Sequence, residues 1–473
     1  MMKDLWSPFG FYGRRPHALL RRGVPTCVPV PRTARFFPGR CGYMCDMAEF
    51  LRMSNPIQHY AWGSCSVLAT MQGRPAPTAD PEAEMWMGAH PSAPSHVEVQ
   101  GARRGLHEVL PHLPFLLKIL AIAAPLSIQV HPSTEQAQEG FARENAAGVP
   151  LDAPHRNYKD DRAKPETVVA LSEMWLLVGQ QDRARLARLA EHLDLAWLEL
   201  AVQTPCPVQH VLELPDDDAA AAVRASVAAA SRTSEPDKAE SAAAGQSGPG
   251  SQSEASATSG PSVHSAPSTG PEAESTGAAP RALSPEMDPV QRAVALIRLL
   301  AHHYPGDRGL LVALCMNVVH LAPGQALFTP AQQVHAYLCG TAVEIMGCSD
   351  NVLRAGLTPK HVDVAELLRV MSRTSEPVAV MEPRAEPGGT VSYPLWDPAV
   401  SLVSARVSPG NPVRRELAGT CMVLVTEGEV TVVPGNVRAS AGQSLICLEG
   451  PGTATIEGEG QVFLVEAVAV SGQ

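Results

Sequence analysis

The chain has 473 residues, 45% of them apolar and 18% charged, which suits a soluble globular protein of two or three domains with a large core. Its formal net charge of -11 disfavours a general nucleic-acid role. No apolar run reaches membrane-spanning length, and the ten cysteines show no C-x-x-C pair, as expected of reduced thiols in a cytoplasmic protein.

Residues 1–52 read as a basic, proline-rich extension. Arg14, Arg15, Arg21, Arg22, Arg32, Arg35 and Arg40 stand there among few acids. Pro16, Pro25, Pro29 and Pro31 interrupt any amphipathic helix of the transit-peptide kind. The segment is expected to be disordered, or to precede a start at Met47 or Met53.

From Ser54 to Leu171, short apolar runs bounded by prolines read as buried strands, Pro114 to Leu120 and Leu126 to Val130 among them. Ser133-Thr-Glu-Gln136 matches a capping box and opens a helix through Arg143. From Asp182 to Val202 the period becomes helical, with Leu186, Leu189, Leu193 and Leu200 on one stripe. Between Thr233 and Glu286, Ala, Ser, Gly, Pro and Glu dominate and no aromatic residue occurs. Such a linker cannot bury enough apolar area to offset its ordering entropy, so disorder is expected. The helical period resumes at Pro289, with Val290, Val294, Ile297 and Leu300 on one side.

After Gly309 strands are expected again. They are the apolar run Leu310 to Leu321, then Gln325 to Phe328 past a Pro323-Gly324 turn, and Ala342 to Met346. Glu382 to Gln473, rich in Val, Thr and Gly, predicts a β-sandwich or jelly roll. Met422 to Val433 predicts a hairpin around Glu427-Gly428.

Pro125-Leu-Ser-Ile-Gln-Val-His-Pro132 reads as a strand that ends at its proline. Gln129 and His131 are two apart, so they share a face and can reach one point. An imidazole and an amide oxygen there make half a metal site. A structural histidine is the plainer account of the pair alone, so further ligands decide. Lys164-Pro165-Glu166 sets a carboxylate at a strand start, and Gln333-Val334-His335 sets a second imidazole at a sheet edge. Three or four such ligands with an open position form a zinc-type site.

Seven segments then stand in order over residues 54–368. They are Tyr60-Ala-Trp-Gly63, Glu84-Met-Trp-Met-Gly-Ala-His-Pro91, Leu116-Leu-Lys-Ile-Leu120, Pro125 to Pro132, Lys164-Pro-Glu166, His335-Ala-Tyr-Leu338 and Asp350-Asn-Val-Leu-Arg-Ala-Gly-Leu-Thr-Pro-Lys360. Together they resemble the motifs of type I mannose-6-phosphate isomerases. The resemblance implies a mainly β fold with an α insertion. A cupin-type barrel or jelly-roll catalytic domain would cover 53–171 and 306–375. A helical insertion would cover 172–305 and hold the linker at 233–286. A second cupin-like β domain would cover 376–473, metal-free because no histidine follows His361.

The same resemblance implies one zinc ion per chain. It implies interconversion of mannose 6-phosphate and fructose 6-phosphate through a cis-enediol, feeding mannose and GDP-mannose metabolism. The expected form is a cytoplasmic monomer that binds a hexose 6-phosphate and neither nucleic acid nor membrane. Carried over by motif, Gln129, His131, Glu166 and His335 are the zinc ligands. Arg354, Asp350 and Lys164 are the catalytic candidates. Arg354 suits a developing enediolate or a phosphate oxygen. The base is Asp350 acting through His131, or Lys164 with a pKa depressed by desolvation.

Trp62, Glu84, Lys118, Ser127, Tyr337, Glu344 and Lys360 match pocket positions. Ser127, Lys118, Lys164 and Lys360 would offer the phosphate hydroxyl and ammonium groups. The plain alternative for a lone lysine or glutamate is a solvated surface charge, and for Trp62 ordinary core packing. One departure stands out: Arg162-Ala163 occupies the place of the family's Asn-His before Lys164, so a pocket histidine is missing. Two rival readings follow. A cupin iron oxygenase leaves Arg354 and the lysines unexplained. A non-catalytic sugar-phosphate-binding cupin gains weight from Ala163.

Overall fold

The computed structural model describes residues 49–233 and 283–468, apart from 376, 449 and 451. The expectations for the basic extension up to residue 48 and for the linker between 234 and 282 fall outside the described residues.

One sheet of ten strands carries the candidate ligands. Its path runs Met316–Leu321, Met174–Gln180, His335–Gly347, Phe115–Ile122, Glu84–Gly88 and Ile57–Gln58. Ile128–Val130, Leu353–Gly356, Glu166–Ala170 and Ala326–Thr329 join off this path. The hub is His335–Gly347, buried along its whole length. This strand is central, so His335 does not lie at the sheet edge the sequence suggested, and Ala342 to Met346 is only its second half. The first half pairs with Ile128–Val130 and Met174–Gln180, the second with Phe115–Ile122 and Glu166–Ala170. Partners change at Gly340, whose φ is 118°. A Cβ there would lie 2.8 Å from the Glu173 carbonyl oxygen, so only glycine fits. With a bulge between Tyr337 and Cys339, the strand turns a corner and curls the sheet.

A second sheet of eleven strands contains the C-terminal segment. Its centre is Gly452–Ala467 against Thr420–Val433, followed by Ser444–Cys447. Phe50–Ser54 extends it, with Phe50 opposite Cys447 and Met53 opposite Val97. The two sheets share one apolar core. Met87, Phe115, Leu117 and Ile345 of the first pack with Leu402, Met422, Phe463 and Val465 of the second. The hairpin expected at Glu427-Gly428 is absent, because Thr420–Val433 is one continuous strand. Gly428 (φ 72°) sits beside a bulge between Val425 and Glu427, where a Cβ would meet the Glu459 carbonyl at 2.0 Å. The glycine marks a close backbone approach inside a strand, not a turn.

Among the described residues, six helices lie between Gln180 and Met316: Arg183–Leu193, Ala196–Gln203, Pro207–Glu213, Asp216–Arg232, Pro289–His303 and Gly309–Leu314. The helix expected from Asp182 to Val202 is two helices, broken at Asp194 with φ 53°. The break rotates the stripe, so Leu198 is buried and Leu200 is 58% exposed. The run from Leu310 to Leu321 is half helix and half strand. A continuous apolar run has no period to separate the two. Ser133 and Gln136 form the expected capping box, and Asp288 with Gln291 forms a second one ahead of Pro289–His303.

The helices pack behind the ligand-bearing strands. Ile128, Val130, Leu177, Val334 and Ala336 turn into the helical core with Leu186, Leu296 and Ile297. Strand alternation then sends Gln129, His335 and Tyr337 to the opposite face. The insertion also closes on itself. Gln180 pairs with Met316, and the Gln181 amide donates to the Cys315 carbonyl at 2.8 Å. Among the described residues, no helix is long and apolar enough to cross a membrane.

Candidate metal and substrate site

His131, Glu166 and His335 converge, with ligand atoms all within 4.8 Å of one another and all three side chains buried. Glu166 sits between the rings. Its Oε1 is 3.2 Å from His131 Nε2, and its Oε2 is 3.2 Å from His335 Nε2. On the far side of each ring, His131 Nδ1 lies 2.7 Å from the Asn351 carbonyl and His335 Nδ1 lies 2.9 Å from the Gln333 carbonyl. A carbonyl only accepts, so each neutral ring carries its hydrogen on Nδ1 and turns the Nε2 lone pair inward. Both Nε2 atoms are buried without a hydrogen-bond partner. Two orphaned acceptors beside a carboxylate fit a divalent cation, and the carbonyls fix the tautomer this requires. Gln129 is the cross-strand neighbour of both His335 and Arg354, which places the fourth expected ligand beside the others.

The electrostatics agree with the geometry. Burial, aided by the Lys164 charge, lowers the pKa of His131 to about 4 and keeps the ring neutral. Burial alone would raise Glu166, but Lys164 and His131 hold it well below the usual carboxylate range. A neutral imidazole at His131 and an ionised carboxylate at Glu166 are the protonation states a metal needs.

Lys164 Nζ is 3.0 Å from Glu166 Oε1, so its ammonium is engaged by a carboxylate rather than isolated in an apolar pocket. Lys118 is also committed. It faces Glu344 and Trp86 in register, with Nζ 3.0 Å from Glu84, 3.5 Å from Glu344 and 4.8 Å from the Trp86 ring centroid. Tyr337 donates its hydroxyl to Glu344 at 2.9 Å. Burial, with Glu166 nearby, pushes Glu344 up to about 7. These groups form a polar wall whose charges satisfy one another.

A second set of cations is unpaired. Arg354, Lys360 and Lys159 make no ion pair among the described residues. Burial lowers the pKa of Arg354. It also lowers that of Lys360, and the charges of Arg354 and Lys159 add to it. Mutually repelling cations without a carboxylate partner make a seat for an anion. Trp62 packs against the cluster that holds Leu126 and Tyr337, and Tyr60 stacks on it at 5.8 Å. Partial burial, and then the charge of Glu84, raises the pKa of the Tyr60 hydroxyl. Ser127 is half-buried just ahead of Ile128–Val130. A cleft of about 630 Å³ opens at Ala163, lined by Thr134, Gln138, Arg162, Cys348 and Trp396 among others.

Asp350 touches Asp160 and His90 rather than His131; it is the next residue, Asn351, that holds His131. The expected link from Asp350 to His131 therefore runs through the backbone. Asn351 is fully buried and latches two loops. Its Oδ1 accepts from the amides of Lys159 and Asp160, and its Nδ2 donates to the carbonyls of Asp160 and Arg162 at 2.8 and 2.9 Å. Asn351, Lys159, Tyr60 and His90 were not singled out from sequence. An asparagine after an aspartate looks like any turn residue, and a lone lysine like any surface charge.

Known proteins give the same picture. The type I phosphomannose isomerase catalytic domain matches residues 50–182. The mannose-6-phosphate isomerase of Escherichia coli (strain K12) is 31% identical over 437 residues, covering 88% of this chain and 98% of that protein. The Salmonella typhimurium enzyme is 32% identical over 362 residues, or 73% and 80% of the two chains. A zinc-bound mannose 6-phosphate isomerase structure superposes with a TM-score of 0.71 at 27% identity, over 89% of this chain and all of that one. The Salmonella typhimurium structure bound to fructose 6-phosphate and zinc gives the same score, identity and coverage. Identity and coverage of this extent, together with the matched catalytic domain, show that this chain belongs to the type I mannose-6-phosphate isomerase family.

Proposed function

We propose that the chain is a zinc-dependent isomerase interconverting mannose 6-phosphate and fructose 6-phosphate. The observation that carries this reading is the pair of buried, orphaned Nε2 atoms flanking Glu166. His131, Glu166, His335 and Gln129 would hold the ion. Bound zinc supplies Lewis acidity toward a sugar oxygen. Lys360 and Lys159 take the phosphate. Arg354, the register neighbour of Gln129, meets negative charge that develops on the sugar as it passes through a cis-enediol. Tyr60 and Trp62 cover the sugar.

Asp350 is the better candidate to carry the proton between C1 and C2. Its side chain is 41% exposed and has no lysine or arginine partner among the described residues, whereas Lys164 is tied to Glu166.

Every proposed ligand lies in 53–171 or 306–375, which supports a catalytic domain there, a helical insertion and a metal-free C-terminal β domain. One chain supplies the whole set, as a monomer requires. Cys65, Cys206, Cys315, Cys339, Cys348 and Cys421 are free thiols, which suits the cytoplasm, where the product would feed GDP-mannose synthesis.

The test is metal analysis paired with a coupled assay for fructose 6-phosphate, before and after chelation. Zinc should restore turnover. Dependence on iron and oxygen would sink the reading, and tight substrate binding without turnover would make the protein a sugar-phosphate binder.

A further inference from the structure

His90 belongs neither to the ligand set nor to the expected substrate contacts. It follows the strand Glu84–Gly88, is 5% exposed, and meets the Trp86 ring edge-on at 5.1 Å. Its Nδ1 lies 2.8 Å from Ser92 Oγ and 3.4 Å from the Ser92 amide. An amide N–H only donates, so Nδ1 is the acceptor and the neutral ring carries its hydrogen on Nε2. That N–H faces Asp350 Oδ2 at 3.5 Å.

The opposite side of Asp350 is fixed as well, since its own amide donates to Asp160 Oδ2 at 2.9 Å. The carboxylate is thus aimed by one donor while its backbone is pinned by another. Burial keeps the ring neutral against the pull of Asp350 and Asp160, and Lys118 and Lys164 act in the same direction as burial. A contact of 3.5 Å is long for a hydrogen bond, and such contacts shorten when substrate closes a site.

We propose that His90 is a positioning residue that holds the Asp350 carboxylate toward the reacting carbons of the sugar. This rests on the isomerase reading, with Asp350 as the proton carrier. A neutral Nε2–H donor stabilises the ionised carboxylate and restricts its rotation without taking its proton.

The test compares His90→Leu, His90→Gln, Asp350→Asn and the double variant His90→Leu/Asp350→Asn as zinc-loaded full chains. His90→Leu should lower kcat about 10-fold with KM changed less than about 3-fold and zinc content unchanged. His90→Gln keeps an N–H donor and should recover most of the loss. The double variant should be no slower than Asp350→Asn alone. Nitrogen-15 NMR of the histidine rings should show His90 as the Nε2–H tautomer, with a signal that moves in Asp350→Asn. This readout does not need His90→Leu to fold.

Unchanged kcat in His90→Leu, losses that multiply in the double variant, or a His90 signal blind to Asp350→Asn would each overturn the proposal. A wild-type chain without turnover overturns the isomerase reading and this role together. An active wild type with an unaffected His90→Leu overturns the role of His90 alone.

Discussion

The main-chain carbonyl of Asn351 lies 2.7 Å from Nδ1 of His131, and this contact decides which ring nitrogen faces Glu166. The carbonyl is held in place by the side chain of the same residue, which ties residues 349–351 to residues 159–162. The loop that carries Lys159 is thereby locked to the loop that orients a candidate metal ligand.

Asn351→Ala should therefore damage two properties at once. Buried amides and carbonyls around residues 159–162 lose their partners, at a cost of about 2–3 kcal/mol in denaturant unfolding. Zinc affinity, measured by competition with a chelator, should fall about 10-fold because the main-chain carbonyl that orients His131 is no longer held in place. Wild-type affinity in a destabilised variant would show that the latch serves the fold alone.

His335→Ala removes one of the two orphaned acceptors. Zinc content and isomerase activity should disappear together, because a carboxylate, an amide and a single imidazole leave the ion under-coordinated. Elemental analysis of the purified variant decides the matter. Full metal content would mean that the ligand set is wrong.

Arg354→Ala should separate metal from turnover. Zinc stays, since Arg354 is a neighbour of Gln129 and not a ligand, while kcat drops about 100-fold. Lys159→Ala should act differently, raising KM for the sugar phosphate about 10-fold with a smaller effect on kcat. If Lys159→Ala leaves KM unaltered, the anion seat is misplaced.

Deleting Ser241 to Gly277 removes residues outside the described part of the chain. Both flanks are anchored without them. Leu283 is buried in the helical core, and Arg298 donates to the carbonyls of Ala230 and Thr233. A long connection adds little closure entropy, so folding and activity should be nearly unchanged. A melting temperature lowered by more than about 5 °C would contradict this.

The metal cluster was legible in the sequence because strand alternation and motif order survive without coordinates. His131, Glu166 and His335 needed only to be recognised in sequence, and the fold brings them together. What was not legible depends on long-range geometry. Lys118 read as a phosphate contact, yet register opposes it to Glu344 and so neutralises it. Lys159 was not singled out in the sequence, yet its charge acts on Lys360. His90 gains meaning only when a loop more than two hundred residues away brings Asp350 to its Nε2. The errors in element type have local causes. Leu310 to Leu321 carries no period, and Gly428 marks a bend that looks like a turn when its partner strand is unknown.

The closure of the insertion has a consequence for how the chain is assembled. Met174–Gln180 and Met316–Leu321 are adjacent antiparallel strands, so in connectivity the helices are the loop of a single hairpin. Gln181 bonds the carbonyls of Leu314, Cys315 and Met316, and so ties the mouth of that loop shut. A peptide bond cut between 234 and 282 would leave both halves of the sheet gripping each other through this neck. The site is held by pairing across the fold, and unbroken chain through the linker is not what keeps Glu166 beside His335.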